Sequence, residues 1–271
     1  MVRARRTFRD MSFDVAAEAY DRFMGRYSAQ LAGPFVERSG LSPGDRALDV
    51  GCGPGVLTGP LVELLGADHV AAIDPSEPFV AAARERFPDV DVRQGSAEQL
   101  PYDDGVFDAA LAQLVVHFMQ DPVAGVREMA RVTKPGGHVL ISSWDHGGGR
   151  GPLSLFGRAA QSFLADPPPP DRRTGEVEGD LDRVATEAGL VEVWPFTLTV
   201  SVRYESFEEW WEPYTFGVGP AGDTVSGLDE THRAAFADHL REQLPAPPFE
   251  LPGTAWCVRG VVPQRGAPAA Q

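Results

Sequence analysis

The stretch from residue 47 to residue 58, Ala-Leu-Asp-Val-Gly-Cys-Gly-Pro-Gly-Val-Leu-Thr, constrains the fold of this chain more than any other. Its first four residues are mostly apolar, as in a buried strand of a parallel sheet. Glycines at 51, 53 and 55 allow a tight turn with positive φ and close approach of a ligand to the backbone. A helix that follows would point its free N–H groups at the same place. The stretch therefore predicts a strand, a turn and a helix that receive a polar, flat ligand.

The glycine spacing separates two kinds of ligand. A dinucleotide-binding turn has glycines at its first, third and sixth positions, and here the sixth is Val56. The pattern D-x-G-C-G-x-G instead resembles the first motif of the class I S-adenosylmethionine-dependent methyltransferases. In that family the acid helps to orient the ammonium group of the cofactor. An ordinary β–α turn without a ligand is the alternative. The cofactor-binding residues that the resemblance implies here are Asp49, Gly51, Cys52, Gly53 and Gly55.

Composition limits the kinds of partner. The chain has 271 residues and a formal net charge of −15, which argues against affinity for nucleic acid or anionic membranes. No apolar run approaches the length of a membrane span. Two cysteines are too few for a disulfide framework, and no cluster has metal-ligand spacing, so we expect no metal. No hydrophobic segment follows the basic residues near the start, so we expect a cytoplasmic protein. It is expected to be either a monomer or a homodimer.

A second acid ends the next predicted strand, His69 to Asp74. Asp74 follows Gly55 at the spacing of about 20 residues at which a carboxylate accepts ribose hydroxyls in this architecture. A carboxylate and a vicinal diol match as two acceptors to two donors. We therefore predict that Asp74 binds the ribose and that Pro75 lies against the adenine. The alternative is that Asp74 only caps the following helix, a role that Ser76 can also fill.

The third predicted strand, Val90 to Gln94, leads into a segment, 95–102, that resembles the family's G-D-A-x-x-L-P-[FY] sequence. In the family the polar residue and the next backbone amide contact the adenine edge. Ser96 replaces the usual acid here, and a serine can accept a hydrogen bond only as a neutral group. We expect adenine binding to depend more on the N–H of Ala97 and on stacking. A plain surface loop is the alternative.

Residues 107–118 read as the fourth strand and its continuation, and they resemble the family's F-D-x-V-x-x-x-x-x-L-H-H segment. The carboxyl end of that segment borders the transferring methyl group. Gln113 is expected in the ligand crevice at the strand edge. His117 matches the first histidine, and Phe118 replaces the second. We predict His117 as a general base, with a packed structural histidine as the alternative.

The amino-terminal region is predicted to form two helices, Phe13 to Tyr27 and Ala29 to Arg38. Its Tyr-Asp-Arg-Phe segment, which begins at Tyr20, resembles the leader that many small-molecule methyltransferases fold over the cofactor. Tyr20 and Arg26 are therefore predicted to contact the cofactor. Arg26 would bind the carboxylate of the cofactor. The alternative is that the aromatic side chains only pack the helix on the sheet.

The remaining elements complete an α/β fold with a doubly wound, mostly parallel, seven-stranded sheet and helices on both faces. A turn is predicted over Lys134 to Gly137, before a fifth strand that ends at Ser142. A sixth strand is predicted over Val191 to Val202, and a last, antiparallel strand over Thr254 to Val262. The resemblance covers about 13–143. It implies one methyltransferase domain, 13–262, with its core over about 41–145, 180–203 and 253–262.

Two insertions, about 146–179 and 204–252, are expected to form a lid, while 1–12 and 263–271 are expected to be disordered. The second insertion is rich in aromatic residues. Adjacent residues on a helix diverge by about 100°, so two neighbouring tryptophans cannot both face the sheet squarely. These side chains either line the substrate site or pack the lid onto the domain. The predicted substrate residues are Trp210, Trp211, Tyr214 and Phe216.

The sequence therefore predicts an S-adenosylmethionine-dependent methyltransferase that acts on an O, N or C atom of a small, apolar or aromatic metabolite. Its product would be S-adenosylhomocysteine. Two alternatives stay open. One is a cofactor-binding regulator or scaffold without methyl transfer, and the other is a nicotinamide-dependent oxidoreductase, against which Val56 at the sixth position of the turn argues.

Overall fold

A computed structural model describes residues 24–164, 174–217 and 219–264. The described residues fall into two compact units. We call them the sheet unit (27–152, 174–200 and 252–264) and the helical unit (24–26, 153–164, 201–217 and 219–251). The helical unit draws on both predicted insertions. Most of the predicted leader helix, all of the predicted extension 1–12 and most of the predicted tail lie outside the described residues.

The sheet has seven strands in the spatial order β3-β2-β1-β4-β5-β7-β6. Strands β1 to β5 are paired in parallel, and β7 runs antiparallel to β5. The prediction of a mostly parallel, seven-stranded sheet with an antiparallel last strand is therefore confirmed. The strands are β1 (Ala47–Val50), β2 (Val70–Asp74), β3 (Asp91–Gln94), β4 (Phe107–Ala112), β5 (Thr133–Trp144), β6 (Val191–Tyr204) and β7 (Phe249–Val261).

The order of the strands reverses between β1 and β4. The chain moves outward from β1 to β2 and β3, and then returns to build β4 and β5 on the other side of β1. Because crossovers between parallel strands are right-handed, the connecting helices on the two sides of this point cover opposite faces. The described helices are α1 (Arg26–Glu37), α2 (Thr58–Leu65), α3 (Glu77–Arg86), α4 (Pro122–Val132), α5 (Ser154–Phe163), α6 (Asp180–Glu187), α7 (Phe207–Trp211), α8 (Gly219–Ser226) and α9 (Glu230–Gln243).

Two local predictions were wrong. The predicted turn over Lys134 to Gly137 belongs to β5, which begins at Thr133 because that residue already pairs with Phe107 and a register shift absorbs the glycines. The predicted continuation of β4 does not form either. Leu114 has a φ of 62°, which ends the strand and leads into a 3-10 turn over Val116–Phe118. His117 therefore lies on a turn beyond the strand end.

The interior of the sheet explains the apolar runs of the sequence. Every residue of β1 and of β2 is buried, as expected for parallel strands that are covered on both faces. Asp49 and Asp74 are the acidic residues of these two strands, and both lie at or near the carboxyl end. Among the described residues, no helix is long and apolar enough to span a membrane.

Arg131 connects α4 to the loop that precedes β4. Its guanidinium donates to the carbonyl oxygens of Leu100 (3.0 Å) and Tyr102 (2.8 Å), and it pairs with Glu128 at 2.7 Å. The loop carries the predicted adenine segment, so this side chain helps to hold the segment against a helix. The hydrogen-bonded ion pair with Glu128, and a second one with Asp104, raise the pKa of Arg131 above its usual value.

We expect Arg131→Met to lower the free energy of unfolding by about 1.5–3 kcal/mol, because two carbonyl oxygens lose a charged donor. Arg183→Met is the matched control, since Arg183 only forms an exposed pair with Glu187 on α6. That control should change stability by less than about 0.5 kcal/mol. Denaturant unfolding measures both. Equal effects of the two substitutions would contradict the anchoring role of Arg131.

Candidate functional site

The glycine loop between β1 and α2 lies against the end of β2. The backbone N–H groups of Gly51 and Cys52 both donate to the carbonyl oxygen of Ile73, at 2.7 and 3.0 Å. The predicted positive φ angles are confirmed, at 74° for Gly51, 52° for Gly53 and 91° for Gly55. Burial raises the pKa of the Cys52 thiol above its usual value, so this side chain is a packed apolar group and not a nucleophile.

The three glycines have different reasons to lack a side chain. A Cβ on Gly51 would lie 2.6 Å from the methyl groups of Val115, and one on Gly55 would lie 2.5 Å from the ring of Phe87. A Cβ on Gly53 would meet nothing within 4 Å. Gly51 and Gly55 therefore serve the packing of the loop. Gly53 is the glycine at which a ligand can approach the backbone.

Alanine substitutions should separate these roles. Gly51→Ala forces a positive φ on a residue with a Cβ and also clashes with Val115, so we expect unfolding free energy to fall by about 2–5 kcal/mol. Gly53→Ala meets only the φ penalty, about 1–2 kcal/mol. Thermal or denaturant unfolding of both variants tests this order. A larger loss for Gly53→Ala would contradict the packing role of Gly51.

Asp49 lies beneath the glycine loop and is only 1% exposed. Its carboxylate accepts a hydrogen bond from the Thr58 hydroxyl at 2.6 Å, at the first residue of α2. Burial raises the pKa of Asp49 to about 7, the Thr58 hydroxyl opposes this shift, and the negative charge of Asp74 adds to it. The carboxyl group therefore sits near the point of half-protonation at neutral pH.

This raised pKa predicts a pH-dependent stability. Between about pH 4 and pH 7 folded Asp49 keeps a proton that the unfolded chain has released, so its contribution to stability falls as pH rises. Asp49→Asn keeps an acceptor for Thr58 and cannot ionise. From about pH 5 to about pH 8 the unfolding free energy of wild type should fall by about 2.5 kcal/mol relative to that of this variant. Denaturant unfolding at both pH values measures this. An equal difference in unfolding free energy between wild type and Asp49→Asn at the two pH values would contradict the raised pKa.

Asp74 connects the loops that follow β1 and β2. Its Oδ2 accepts from the N–H of Gly53 at 2.9 Å, and its Oδ1 accepts from the N–H of Ser76 at 2.8 Å. Burial raises its pKa, although these two hydrogen bonds oppose the shift. Ser76 caps no N–H of α3 with its hydroxyl, contrary to the cap role that the sequence offered it. Pro75 is exposed between them.

The predicted adenine segment is tied down by a residue that the sequence did not single out. The Ser96 hydroxyl donates to Glu98, and Glu98 also accepts from the backbone N–H of Gln120 at 2.8 Å. Partial burial raises the pKa of Glu98, but the hydrogen bonds outweigh it and the net shift is downward. Ala97, between the two, is 9% exposed. Ser96 is therefore engaged by a neighbouring carboxylate.

Gln113 follows the last residue of β4, as predicted for the crevice at the strand ends. Its Nε2 donates to the carbonyl oxygen of Ser28 at 3.0 Å. Within the described ranges its Oε1 is buried and has no hydrogen-bond partner. A buried acceptor of this kind at the switch point of the sheet fits a ligand that brings a donor, such as an ammonium group.

His117 lies at the carboxyl edge of the sheet on the turn after β4. Its Nδ1 is 3.3 Å from the hydroxyl of Ser143 on β5, which is fully buried. Its ring lies 4.0 Å from the ring of Phe118, centroid to centroid, and Phe118 is 49% exposed. A polar ring nitrogen and an exposed apolar ring therefore stand side by side.

Arg26 and Tyr20 are the two residues of the amino-terminal region that the sequence assigned to the cofactor. Arg26 belongs to the helical unit, where its guanidinium pairs with Glu209 at 2.7 Å, donates to the carbonyl of Arg203 and lies 4.6 Å over the ring of Tyr204. These contacts occupy the group that the sequence assigned to the cofactor carboxylate. Tyr20 lies outside the described residues.

The predicted substrate aromatics belong to the helical unit, and two of them are in its interior. Trp210 is 2% exposed and Tyr214 is 1% exposed. Tyr214 stacks on Phe156 of α5 at 4.5 Å and contacts Trp210 at 5.0 Å. The structure favours the packing alternative for these two residues. Trp211 and Phe216 are partly buried.

Sequence reasoning assigned no role to four residues that contact the predicted site residues: Thr58, Glu98, Phe118 and Ser143. A hydroxyl in the first turn after the loop could have indicated Thr58, and the departure from the second family histidine indicated Phe118. No local signal points to Ser143, because it meets His117 only through the pairing of β4 with β5. In the described parts of the chain, no group of three or more His, Cys, Asp or Glu could hold a metal ion.

Known proteins share this fold and these motifs. Residues 48–141 match the methyltransferase domain family. The demethylmenaquinone methyltransferase of Mycolicibacterium vanbaalenii is 31% identical over 198 residues, which cover 73% of this chain and 79% of that protein. The crystal structure of the YcgJ protein from Bacillus subtilis superposes with a TM-score of 0.57 at 16% identity. The match covers 88% of this chain and 99% of that one.

A protein of transposon TN4556 from Streptomyces fradiae, described as uncharacterized, is 32% identical over 205 residues, which cover 73% of this chain. The chain spans 54%, 40% and 61% of the length of this protein and two further curated relatives. The doubly wound sheet and its glycine loop define a Rossmann-like fold. The chain belongs to the class I S-adenosylmethionine-dependent methyltransferases.

Proposed function

We propose that this chain transfers a methyl group from S-adenosylmethionine to a small, apolar or aromatic molecule. The observation that carries the proposal is the open backbone at Gly53 beside the carboxylate of Asp74, since the hydrogen bond between them is 2.9 Å. A flat, polar ligand with a ribose would meet both at once. Transfer to a nucleic acid is disfavoured for a chain with a net charge of −15.

The cofactor would be held by the residues that surround this loop. When bound, it supplies a methyl group on a cationic sulfur, so the protein need not activate the leaving group. The chain must align the methyl donor with the acceptor. Good alignment lowers the activation barrier by on the order of 7–11 kcal/mol. The residues that we propose for cofactor binding are Asp49, Gly51, Cys52, Gly53, Gly55, Asp74, Pro75, Ser96, Ala97 and Gln113.

The acceptor is proposed to bind beside His117 and Phe118. The exposed ring of Phe118 supplies apolar contact, and the imidazole supplies the polar contact. For Trp211 and Phe216 of the helical unit, which keep part of their surface exposed, a contact with the substrate stays a prediction. The similarity to the demethylmenaquinone methyltransferase of Mycolicibacterium vanbaalenii supports an apolar ring compound as acceptor.

Incubation with methyl-labelled S-adenosylmethionine and a defined panel tests the acceptor class. The panel contains demethylmenaquinone reduced to its quinol, 2-naphthol, a primary alkylamine and transfer RNA. We expect label on the quinol or the naphthol. Label on the RNA would contradict the proposal. So would binding of S-adenosylhomocysteine without transfer across a wider panel of phenols, quinols and amines, since that outcome favours a cofactor-binding regulator.

Asp74 provides the sharpest test of the cofactor site. Asp74→Ala should weaken S-adenosylhomocysteine binding by about 1.5–3 kcal/mol, because two hydroxyl donors lose a charged acceptor. The variant should also be less stable, since Gly53 and Ser76 lose their acceptor. The affinity for S-adenosylhomocysteine is therefore measured by calorimetry at a temperature at which the variant is still folded.

The matched control is Asp91→Ala, which removes a carboxylate paired with Arg93 at the start of β3. It should leave the affinity for S-adenosylhomocysteine unchanged. Equal affinity of wild type and folded Asp74→Ala would remove Asp74 from the cofactor site.

A further inference from the structure

Ser143 and His117 form a polar pair inside the sheet unit. His117 belongs to the family segment over 107–118, but no motif of the sequence joins it to Ser143. Ser143 is the second-last residue of β5 and has no exposed surface. Its Oγ lies 3.3 Å from Nδ1 of His117. Gly175 packs directly on it, since a Cβ on Gly175 would come within 2.9 Å of the Ser143 Cβ. The hydroxyl is therefore enclosed by protein on both sides.

The position of the hydroxyl proton decides the state of the imidazole. In the described parts of the chain, Nδ1 of His117 is the one hydrogen-bond partner of the Ser143 hydroxyl. If Nδ1 carried a proton and donated to Oγ, the buried O–H would have no acceptor. A buried donor without an acceptor costs as much as a lost hydrogen bond. The arrangement that satisfies both groups has the hydroxyl donating and Nδ1 unprotonated.

We infer that Ser143 holds neutral His117 as the tautomer with its proton on Nε2, so that this ring donates a hydrogen bond to the methyl acceptor. The inference rests on the proposed function and narrows the substrate class. A ring in this state cannot take a proton through Nε2. The general-base role that the sequence suggested is replaced by that of a donor, and Ser143 is its positioning residue.

The acceptor class follows from this polarity. An N–H donor favours an oxygen that carries negative charge, as in a phenolate or an enolate, over a neutral alcohol or amine. The acceptor loses its proton to solvent before transfer. Its electron pair, on oxygen or on the conjugated carbon, forms the bond to the methyl group, and the S–CH₃ pair returns to sulfur. The adjacent ring of Phe118 suits an aromatic compound of this kind.

Nitrogen-15 NMR of the imidazole rings tests the tautomer without any acceptor. Protein labelled in its six histidines is recorded near pH 8, alone and with S-adenosylhomocysteine. His117→Gln identifies the His117 signals by their loss. We expect the His117 proton on Nε2 alone. A proton on Nδ1, or a mixture of both tautomers in wild type, would overturn the inference.

Two variants separate the hydrogen bond from general loosening of the sheet. Ser143→Ala should allow the Nδ1–H form to appear beside the Nε2–H form. Thr133→Val is the matched control, because the Thr133 hydroxyl is equally buried on β5 and donates to the carbonyl of Met129 at 2.8 Å. It should leave the tautomer of His117 unchanged. An unchanged tautomer in Ser143→Ala would remove Ser143 as the positioning residue.

Kinetics with the acceptor found in the labelling panel provide the second arm. Gln can place an N–H near the position of Nε2 but cannot act as a base. If His117 is a donor, His117→Gln should keep kcat within about tenfold of wild type, while His117→Ala loses about 10²–10³-fold. Equal loss in both variants would restore the general base and overturn the inference. The affinity for S-adenosylhomocysteine is measured in parallel. If wild type does not bind this ligand, the proposed function is refuted, while the tautomer measured by NMR still stands.

Discussion

The carboxylate of Asp74 holds together the two loops on which the site depends. One oxygen fixes the N–H of Gly53 after β1, and the other fixes the N–H of Ser76 before α3. Because β1 and β2 are adjacent parallel strands, their loops leave the sheet side by side and need such a bridge. The hydrogen bond to Gly53 lies in the middle of the glycine loop, between the positive φ angles of Gly51 and Gly55. A single side chain thus sets the spacing between the turn and the neighbouring helix.

This bridge is a buried carboxylate, and we expect the acids near the glycine loop to make the site selective. Asp49 lies close enough to Asp74 for its pKa to be raised by the second carboxylate as well as by burial. Two acids near one loop favour a cation, and S-adenosylmethionine carries positive charge on both its sulfur and its amino group. The phosphates of a nicotinamide dinucleotide would instead meet repulsion. Charge and glycine spacing therefore agree on the kind of cofactor.

The sequence was informative wherever a residue acts within its own segment. The glycine turn and the acids at the ends of β1 and β2 follow from local spacing. Contacts between distant segments could not be inferred. Ser143 meets His117 only after β4 and β5 pair. The burial of Tyr214 depends on Phe156, a residue of a different insertion.

The structure of the protein with S-adenosylhomocysteine bound tests the central claim most directly. The account predicts that the ligand lies over the loop from Gly51 to Gly55, with both ribose hydroxyls within hydrogen-bond distance of the Asp74 carboxylate and the backbone of Gly53 in van der Waals contact. Crystals of the complex would show this at ordinary resolution. A ligand bound at any other place, or a ribose that does not touch Asp74, would contradict the account.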